Sequence, residues 1–536
     1  MEFQRLPAEV LVEICRHLAA PMHSSRHGHG PVMRPETEEA LACRATLAGL
    51  MRTCRNLHDV AGCVLYSGYH QLWHPSAAYR FLKTLDPHSH EPCYDTTTPR
   101  PPDLLSLDDT RRHLVRHLDI HPNLDRRTLN SVPWTGRQGS VMNGTWIESM
   151  ASRLGVPFPE GWHTARHPGD ENTGDHAAEH LNQLLLRYLS DLTSLNMTLV
   201  FNWDFDVLER WIDEQRETEE QAEKDDDNGG EVEPFAPFRN LRHLKVHLRC
   251  LEARSFNCLR VVINSAPYLS TLEIHDSVSY RPQQHARLEA LRTLVFDRCA
   301  MDRNAMRFTL AAVPHITRFE YRHSNSSLVV PGRHPALTPR MLRHLLSNEY
   351  ELTRPPPLNA RGQVAKAALP DLHLQLRSLA VAFPVYEGAR RPWDPDETIG
   401  SLRRFVKLRS LCVDCDSIAC GPPPPPSPPP SENGGSATTT TTTTTTTTIG
   451  CRLEDVVPEA LEALEITRVG GRFRELVETS LPSLARAVRK GRFGRLRRIR
   501  LLGCPGVQEA RSEVQLRLQG AFERPLGPAV SVAILG

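Results

Sequence analysis

Residues 269–321 read "LSTLEIHDSVSYRPQQHARLEALRTLVFDRCAMDRNAMRFTLAAVPHITRFEY", and within them one phrase recurs: apolar, two variable positions, apolar, one variable position, apolar. Leu269/Leu272/Ile274, Leu291/Leu294/Phe296 and Ile316/Phe319/Tyr321 carry it. The alternation at its end predicts a short strand with one buried face. Outward from this stretch the phrase returns as "VRHLDI" (Val115, Leu118, Ile120), "LTSLNM" (Leu192, Leu195, Met197) and "LRHLKV" (Leu241, Leu244, Val246). On the C-terminal side it returns as "LRSLAV" (Leu376, Leu379, Val381), "LRSLCV" (Leu408, Leu411, Val413), "LEALEI" (Leu461, Leu464, Ile466) and "LRRIRL" (Leu496, Ile499, Leu501). Starts at 241, 269, 291 and 316 are 28, 22 and 25 residues apart, the step of one strand plus one helix or turn per repeat. Pro267 and Pro314 stand two residues ahead of the phrase, where a proline precedes the ladder.

These phrases resemble the leucine-rich repeat family in a degenerate form without its regular asparagine, over roughly residues 111–536. The resemblance implies an α/β fold, an irregular solenoid with a parallel sheet. Two wider gaps interrupt the repeats. The acidic run at 213–234 and the polyproline and threonine tract at 421–450 cannot build a core, and both are expected as disordered loops. The alternative is two domains joined by the Pro/Thr tract. Against it, "LRSLCV" before and "LEALEI" after the tract are the same unit, and about two repeats alone lack stabilising neighbours.

The first 85 residues have a different texture. "FQRLPAEVLVEICRHL", residues 3–18, predicts a helix from Pro7 with Leu6, Val10, Leu11, Ile14, Cys15 and Leu18 on one side. A turn-rich stretch at 19–35 reads as a flexible insertion. Helices follow over Glu36–Cys54, with Leu47, Leu50, Met51 and Cys54 at helical spacing, and over about Asn56–Tyr66, with Leu57, Val60, Ala61, Val64 and Leu65. A unit this small needs a partner surface.

Through Leu6-Pro7, Glu9, Ile14, Leu18, Leu47, Leu50, Cys54-Arg55, Leu57, Val60-Ala61 and Leu65-Tyr66, this unit resembles an F-box domain over residues 3–72. The resemblance implies a Skp-type adaptor, and through it a cullin, as partner. Leu6, Pro7, Ile14, Leu18, Leu47, Leu50 and Leu57 are then the adaptor-binding positions. The C-terminal repeats would capture a protein substrate for ubiquitin transfer by other subunits. The helices could instead only cap the open end of a repeat scaffold with no ubiquitin link, as terminal repeats must be capped.

In each strand phrase the residues between the buried ones face the opposite, concave side. Lys245, His247, Glu273, His275, Asp297, Glu320, Arg322, Asp414 and Glu465 stand there, a mixed-charge surface suited to another protein. Other classes find little support. Lys plus Arg is 64 against 63 for Asp plus Glu, so bulk attraction to nucleic acid or anionic membrane is not expected. No segment is long and apolar enough for a membrane span. Thirteen scattered cysteines read as reduced thiols in the cytoplasm or nucleus. Cys412, Cys415 and Cys420, and the pairs His163/His167 and His176/His180, lack the companion ligands of a metal site. The basic run at 486–501 shares its apolar residues with a strand phrase, which leaves its arginines solvated. With no phosphate loop, nucleophile elbow or dinucleotide fingerprint, the expectation is a non-catalytic protein without cofactor or metal.

Overall fold

In a computed structural model the described residues are 7–24, 38–70, 76–85, 113–120, 144–156, 173–189, 191–199, 205–225, 236–248, 259–277, 288–324, 337–349, 369–383, 397–418, 452–469, 476–503, 508–523 and 530–535. The chain divides into two compact units, Met1–Val246 with Cys258–Leu269, and His247–Asn257 with Ser270–Gly536.

The first unit opens with three helices, α1 (Ala8–Ser24), α2 (Glu38–Leu50) and α3 (Arg55–Tyr66). Cys15, Leu47, Ala61 and Val64 form their common core, with Leu18, Cys43, Leu50, Met51, Val60 and Leu65 packed around it. Two expectations change here. The first six residues of the predicted insertion continue α1 to Ser24, through Pro21, and 25–35 lie outside the described residues. The second helix ends at Leu50, because Arg52 and Thr53 donate to Gly49 and Leu50 in a tight turn and Cys54 is extended.

The sheet also begins earlier than 111. β1 (Gly68–His70) directly follows α3 and pairs in parallel with β2 (His117–Ile120), which pairs with β3 (Ser194–Leu199). The Ser67 carbonyl accepts from the Arg116 and His117 amides, and the Thr193 carbonyl from those of Arg242 and His243 at the start of β4 (His243–Leu248). The helical unit is thus joined to the sheet through the backbone hydrogen bonds of Ser67 and β1.

Four further helices accompany these strands: α4 (Ser76–Leu85), α5 (Gly144–Arg153), α6 (Thr173–Tyr188) and α7 (Asp206–Asp225). The Tyr188 hydroxyl donates to the Leu85 carbonyl at 2.9 Å, tying α6 to α4. Residues 213–225 of the predicted disordered acidic run are the outer turns of α7. Val207, Leu208, Trp211 and Ile212 bury its first turns, and the Arg187 guanidinium lies 4.0 Å from the Trp211 ring centroid. Once that nucleus is anchored, the Glu, Gln, Arg, Lys and Ala that follow are good helix formers. Residues 226–234 and the whole Pro/Thr tract lie outside the described residues. A short helix, α8 (Arg260–Asn264), completes the unit.

The second unit carries β5 (Thr271–His275), β6 (Thr293–Cys299), β7 (Arg318–His323), β8 (Ser378–Ala382), β9 (Ser410–Asp414), β10 (Ala463–Thr467), β11 (Arg498–Leu502) and β12 (Ser531–Leu535). Each pairs in parallel with its successor, giving an open sheet in chain order. The returns include α9 (Arg303–Ala312), α10 (Pro339–Leu346), α11 (Leu453–Val456), α12 (Leu481–Arg489) and α13 (Gln508–Ala521). Asp302 caps α9 by accepting from the Ala305 amide, and Thr338 caps α10 by accepting from Met341.

All ten predicted phrases became β2 to β11, and every side chain of the ten triplets is 3 % exposed or less. A further repeat device lies just beyond the strands. Asp276, Arg298, Arg468 and Gly503 each stand two residues past the third apolar position, and all have left-handed backbones, with φ of 62°, 53°, 54° and 70°. The residue after each of the first three is buried: Ser277, Cys299 and Val469. The Cys299 thiol donates to the Ile274 carbonyl at 3.3 Å, and burial pushes its pKa up.

Candidate protein-interaction surfaces

The first surface is the outer side of α1. Pro7 is exposed, and its carbonyl accepts from the Val10 and Leu11 amides at 3.1 and 3.2 Å, starting the helix. Leu11 and Cys15 turn inward and are buried, while Val10 and Ile14 remain 42 % and 36 % exposed. The apolar side of this helix is wider than one neighbour covers. Pro7, Val10 and Ile14, at i, i+3 and i+7, are the part left over.

Of the seven predicted adaptor-binding positions, the structure brings only Pro7 and Ile14 to this open side. Leu18 and Leu50 are half-buried against the helical core. Leu47 and Leu57 are buried, Leu47 in the common core of the three helices. Leu6 lies outside the described residues. Val10 is the position that the prediction left out, although its spacing put it on the same apolar side.

The second surface is the open face of the parallel sheet. Lys245 belongs to the first unit and is half-buried there. In the second unit β5–β7 gather most of the predicted residues into one network. His275 Nδ1 lies 3.1 Å from Asp297 Oδ2, its Nε2 lies 3.6 Å from Glu273, and its ring stacks on His247 with centroids 4.3 Å apart. Asp297 also meets Arg298 Nη1 at 3.1 Å and Arg322 Nη1 at 3.5 Å. Burial alone would raise the Asp297 pKa, but the hydrogen bond with His275 and the charges of Arg298, His275 and Arg322 bring it down to about 2. Arg298 was not predicted, because strand alternation says nothing of a left-handed residue. It makes a bidentate pair with Asp276, at 2.6 and 2.9 Å, that fixes both strand ends.

Farther along, Glu320 is paired with Arg318 within its own strand. Its register partner Ala380 makes a low point beside Cys412 and Glu465. The Cys412 thiol lies 3.5 Å from Glu465 Oε1, and burial followed by that carboxylate's charge pushes its pKa up to about 12. At neutral pH it is a protonated thiol and not a nucleophile. Cys415 is buried, so the two cysteines of this motif do not share a face, and Cys420 lies outside the described residues. Among the described residues no group of three or more His, Cys, Asp or Glu side chains could hold a metal ion, and no helix is long and apolar enough to cross a membrane.

Asp414 is the clear misplacement. Strand parity puts it on the open face, yet it is fully buried. The chain turns there into a tight 3-10 turn, and the carboxylate caps it, accepting from the Ser417 amide at 2.7 Å and from the Phe383 amide. Burial raises its pKa to about 6 despite those two amides.

The two carboxylates give opposite pH slopes. The folded state holds the Asp414 proton more tightly than the unfolded chain, so this contribution is full below the ordinary carboxylate range and is lost as pH rises toward 6 and beyond. Asp297 contributes above the ordinary range and loses its contribution as pH falls through about 2. Asp414→Asn is expected to flatten the stability slope between about pH 4 and 6. It should also cost about 1–3 kcal/mol at neutral pH, since one amide loses its acceptor. Denaturant midpoints across pH measure both, and an unchanged slope would place the carboxylate elsewhere.

Compared with family models and with curated proteins, the sequence matches none.

Proposed function

We propose that this chain is a non-catalytic substrate receptor of a Skp/cullin/F-box-type ubiquitin ligase, working in the cytoplasm or nucleus. The N-terminal helices dock on the Skp-type adaptor, and the parallel sheet holds a protein substrate. The observation that carries this reading is the exposed stripe Pro7–Val10–Ile14 on a helix whose other side is already committed to its own core. Burying Val10 and Ile14 in a partner gains roughly 1.5–3 kcal/mol for each side chain, before the cost of association. The resemblance of "LPAEVLVEI" and "LMRTCRNLHDVAGCVLY" to F-box helices supplies the identity of the partner. The contribution to ubiquitin transfer is proximity: a bound substrate's lysines are held near a charged conjugating enzyme carried by other subunits.

The test is copurification of the full chain with a recombinant Skp-type adaptor. Wild type is expected to form a stable complex, and Val10→Asp/Ile14→Asp to weaken it by about 100-fold or more, two desolvated anchors having become charges. Wild type that fails to bind, or a variant that binds equally well, overturns the reading. The burial of Leu47 and Leu57 favours one rival, a scaffold whose helices only terminate the repeat array. It predicts no adaptor complex at all.

A further inference from the structure

The open face of the second unit is mixed in charge, whereas the edge at which its later strands begin is mostly basic. The residue just before each of four successive strands is Arg377, Arg409, Glu462 and Arg497. Backbone bonds join them in a row. The Arg409 amide donates to Arg377 at 2.9 Å, Glu462 to Arg409 at 2.8 Å, and Arg497 to Glu462 at 2.8 Å. Adjacent positions in such a row are about 4.8 Å apart. Lys407 and Arg495, each two residues upstream of the row, and Arg498, one residue downstream, add to it.

The local acids do not neutralise this edge. Glu462 lies 3.6 Å from Arg409, and Glu459 is taken by Arg492 at 3.0 Å. Arg377, Lys407, Arg495, Arg497 and Arg498 are exposed and have no carboxylate partner among the described residues. Like charges on neighbouring strands repel, so an anionic partner removes a cost as well as adding an attraction. Two exposed apolar side chains stand on the same edge, at equivalent positions ahead of β8 and β9: Leu374, 43 % exposed, and Val406, 56 % exposed.

We infer that the strand-leading edge of β8–β11 is a docking site for an acidic protein segment that carries apolar residues among its carboxylates. Five cations without a carboxylate partner among the described residues, spread across four strands and about 15 Å, complement several carboxylates on an extended chain. Leu374 and Val406 favour a peptide over a nucleic acid, whose backbone offers no aliphatic side chain to bury. This inference rests on the substrate-receptor reading and specifies the class of substrate.

The test uses fluorescence anisotropy on the full chain with a labelled peptide of alternating Glu and Leu. Lys/Leu peptide and single-stranded oligouridine of equal charge number are the comparison probes. The Glu/Leu peptide is expected to bind, to weaken with salt, and to lose on the order of tenfold or more in affinity to Arg377→Glu/Lys407→Glu/Arg497→Glu. That variant should in turn gain affinity for the Lys/Leu peptide. Leu374→Ser/Val406→Ser should weaken the Glu/Leu peptide several-fold. Arg216→Glu, an exposed change on α7 in the first unit, should alter nothing.

Undiminished binding of the Glu/Leu peptide by the triple variant overturns the inference. So does oligouridine binding more tightly than the peptide and being lost in the same variant, which would assign the edge to RNA. Adaptor copurification and thermal melting on the same variants keep this failure distinct from failure of the receptor reading or of folding. Loss of peptide binding with the adaptor complex intact supports the edge, whereas loss of the adaptor complex in wild type strikes at the receptor reading alone.

Discussion

Leu47→Asp is expected to unfold the N-terminal helices, whereas Ile14→Asp, on the same unit, is expected to leave them folded and to remove only the proposed adaptor binding. Leu47 is fully buried, and its neighbours in the core are Cys15, Ala61 and Val64, none of which can hydrogen-bond a carboxylate strongly. A charge placed there is either stripped of water or forces the helices apart, at a cost of about 4 kcal/mol or more. A unit of three helices has little stability to spare. Ile14 is 36 % exposed, and the neighbouring acid and bases on that side, Glu13, Arg16 and His17, already form solvent-facing ion pairs at 3.5–3.6 Å. A further carboxylate there is expected to change stability by about 0.5 kcal/mol or less. Helical circular dichroism and protease sensitivity of residues 8–66 read the fold, and adaptor copurification reads the surface. If Ile14→Asp also unfolds the unit, the outer stripe is core and not interface. If Leu47→Asp stays folded, the packing described for the three helices is wrong.

The contrast between these two leucine-like positions also marks how far sequence reasoning reached. Periodicity identified both as apolar positions on helices, but it could not say which neighbour each would meet. Six apolar residues on the α1 face were legible, and the division of the five described ones into Leu11, Cys15 and Leu18 inside and Val10 and Ile14 outside was not, because that depends on where α2 and α3 come to rest. The strand phrases were more legible. Their signal is complete within six residues, and alternation forces the burial of every second strand residue once a sheet forms. Where the phrase is incomplete the strand was hidden. β1, Gly68–His70, contains only one large apolar side chain, Tyr69, in register with Leu118. β12 carries only the last two apolar positions of the phrase, Val532 and Ile534, in register with Ile499 and Leu501.

Composition misled at α7, where an acidic run too polar to build a core becomes helix by extending from a buried Trp211 and Ile212. Parity misled at Asp414, because the strand ends at that residue and the following turn draws its carboxylate inside to meet two amides. In the candidate site, the pairing of His275 with Asp297 followed from register, since the two are direct partners on β5 and β6. The role of Arg298 did not, since it depends on a left-handed backbone at a residue type that rarely adopts one.

Phe319→Ala should cost about 3–5 kcal/mol, and its effects should spread along the sheet rather than through the whole chain. Phe319 is the central apolar residue of β7, fully buried, with its ring edge-on to Phe296 at 6.5 Å between centroids. Its register partners are Leu294 on β6 and Leu379 on β8, both buried. Truncation therefore opens a cavity bounded by the side chains that fill the same layer in the repeats on either side. In a repeat array stability is a sum of unit and nearest-neighbour terms, so the loss is felt first by the adjoining repeats. Amide hydrogen exchange should accelerate most in β6, β7 and β8 and much less in β10 and β11, with α1–α3 unchanged. The network on the open face should loosen together with these strands, because Asp297 and Arg322 sit on β6 and β7 and keep their 3.5 Å contact only while the two remain in register. The proposed substrate capture at that face is then expected to weaken while the proposed adaptor binding persists. Uniform exchange across the chain would instead mean that it unfolds as one cooperative block, and the open parallel sheet would have to be a more tightly closed structure than nearest-neighbour stacking allows.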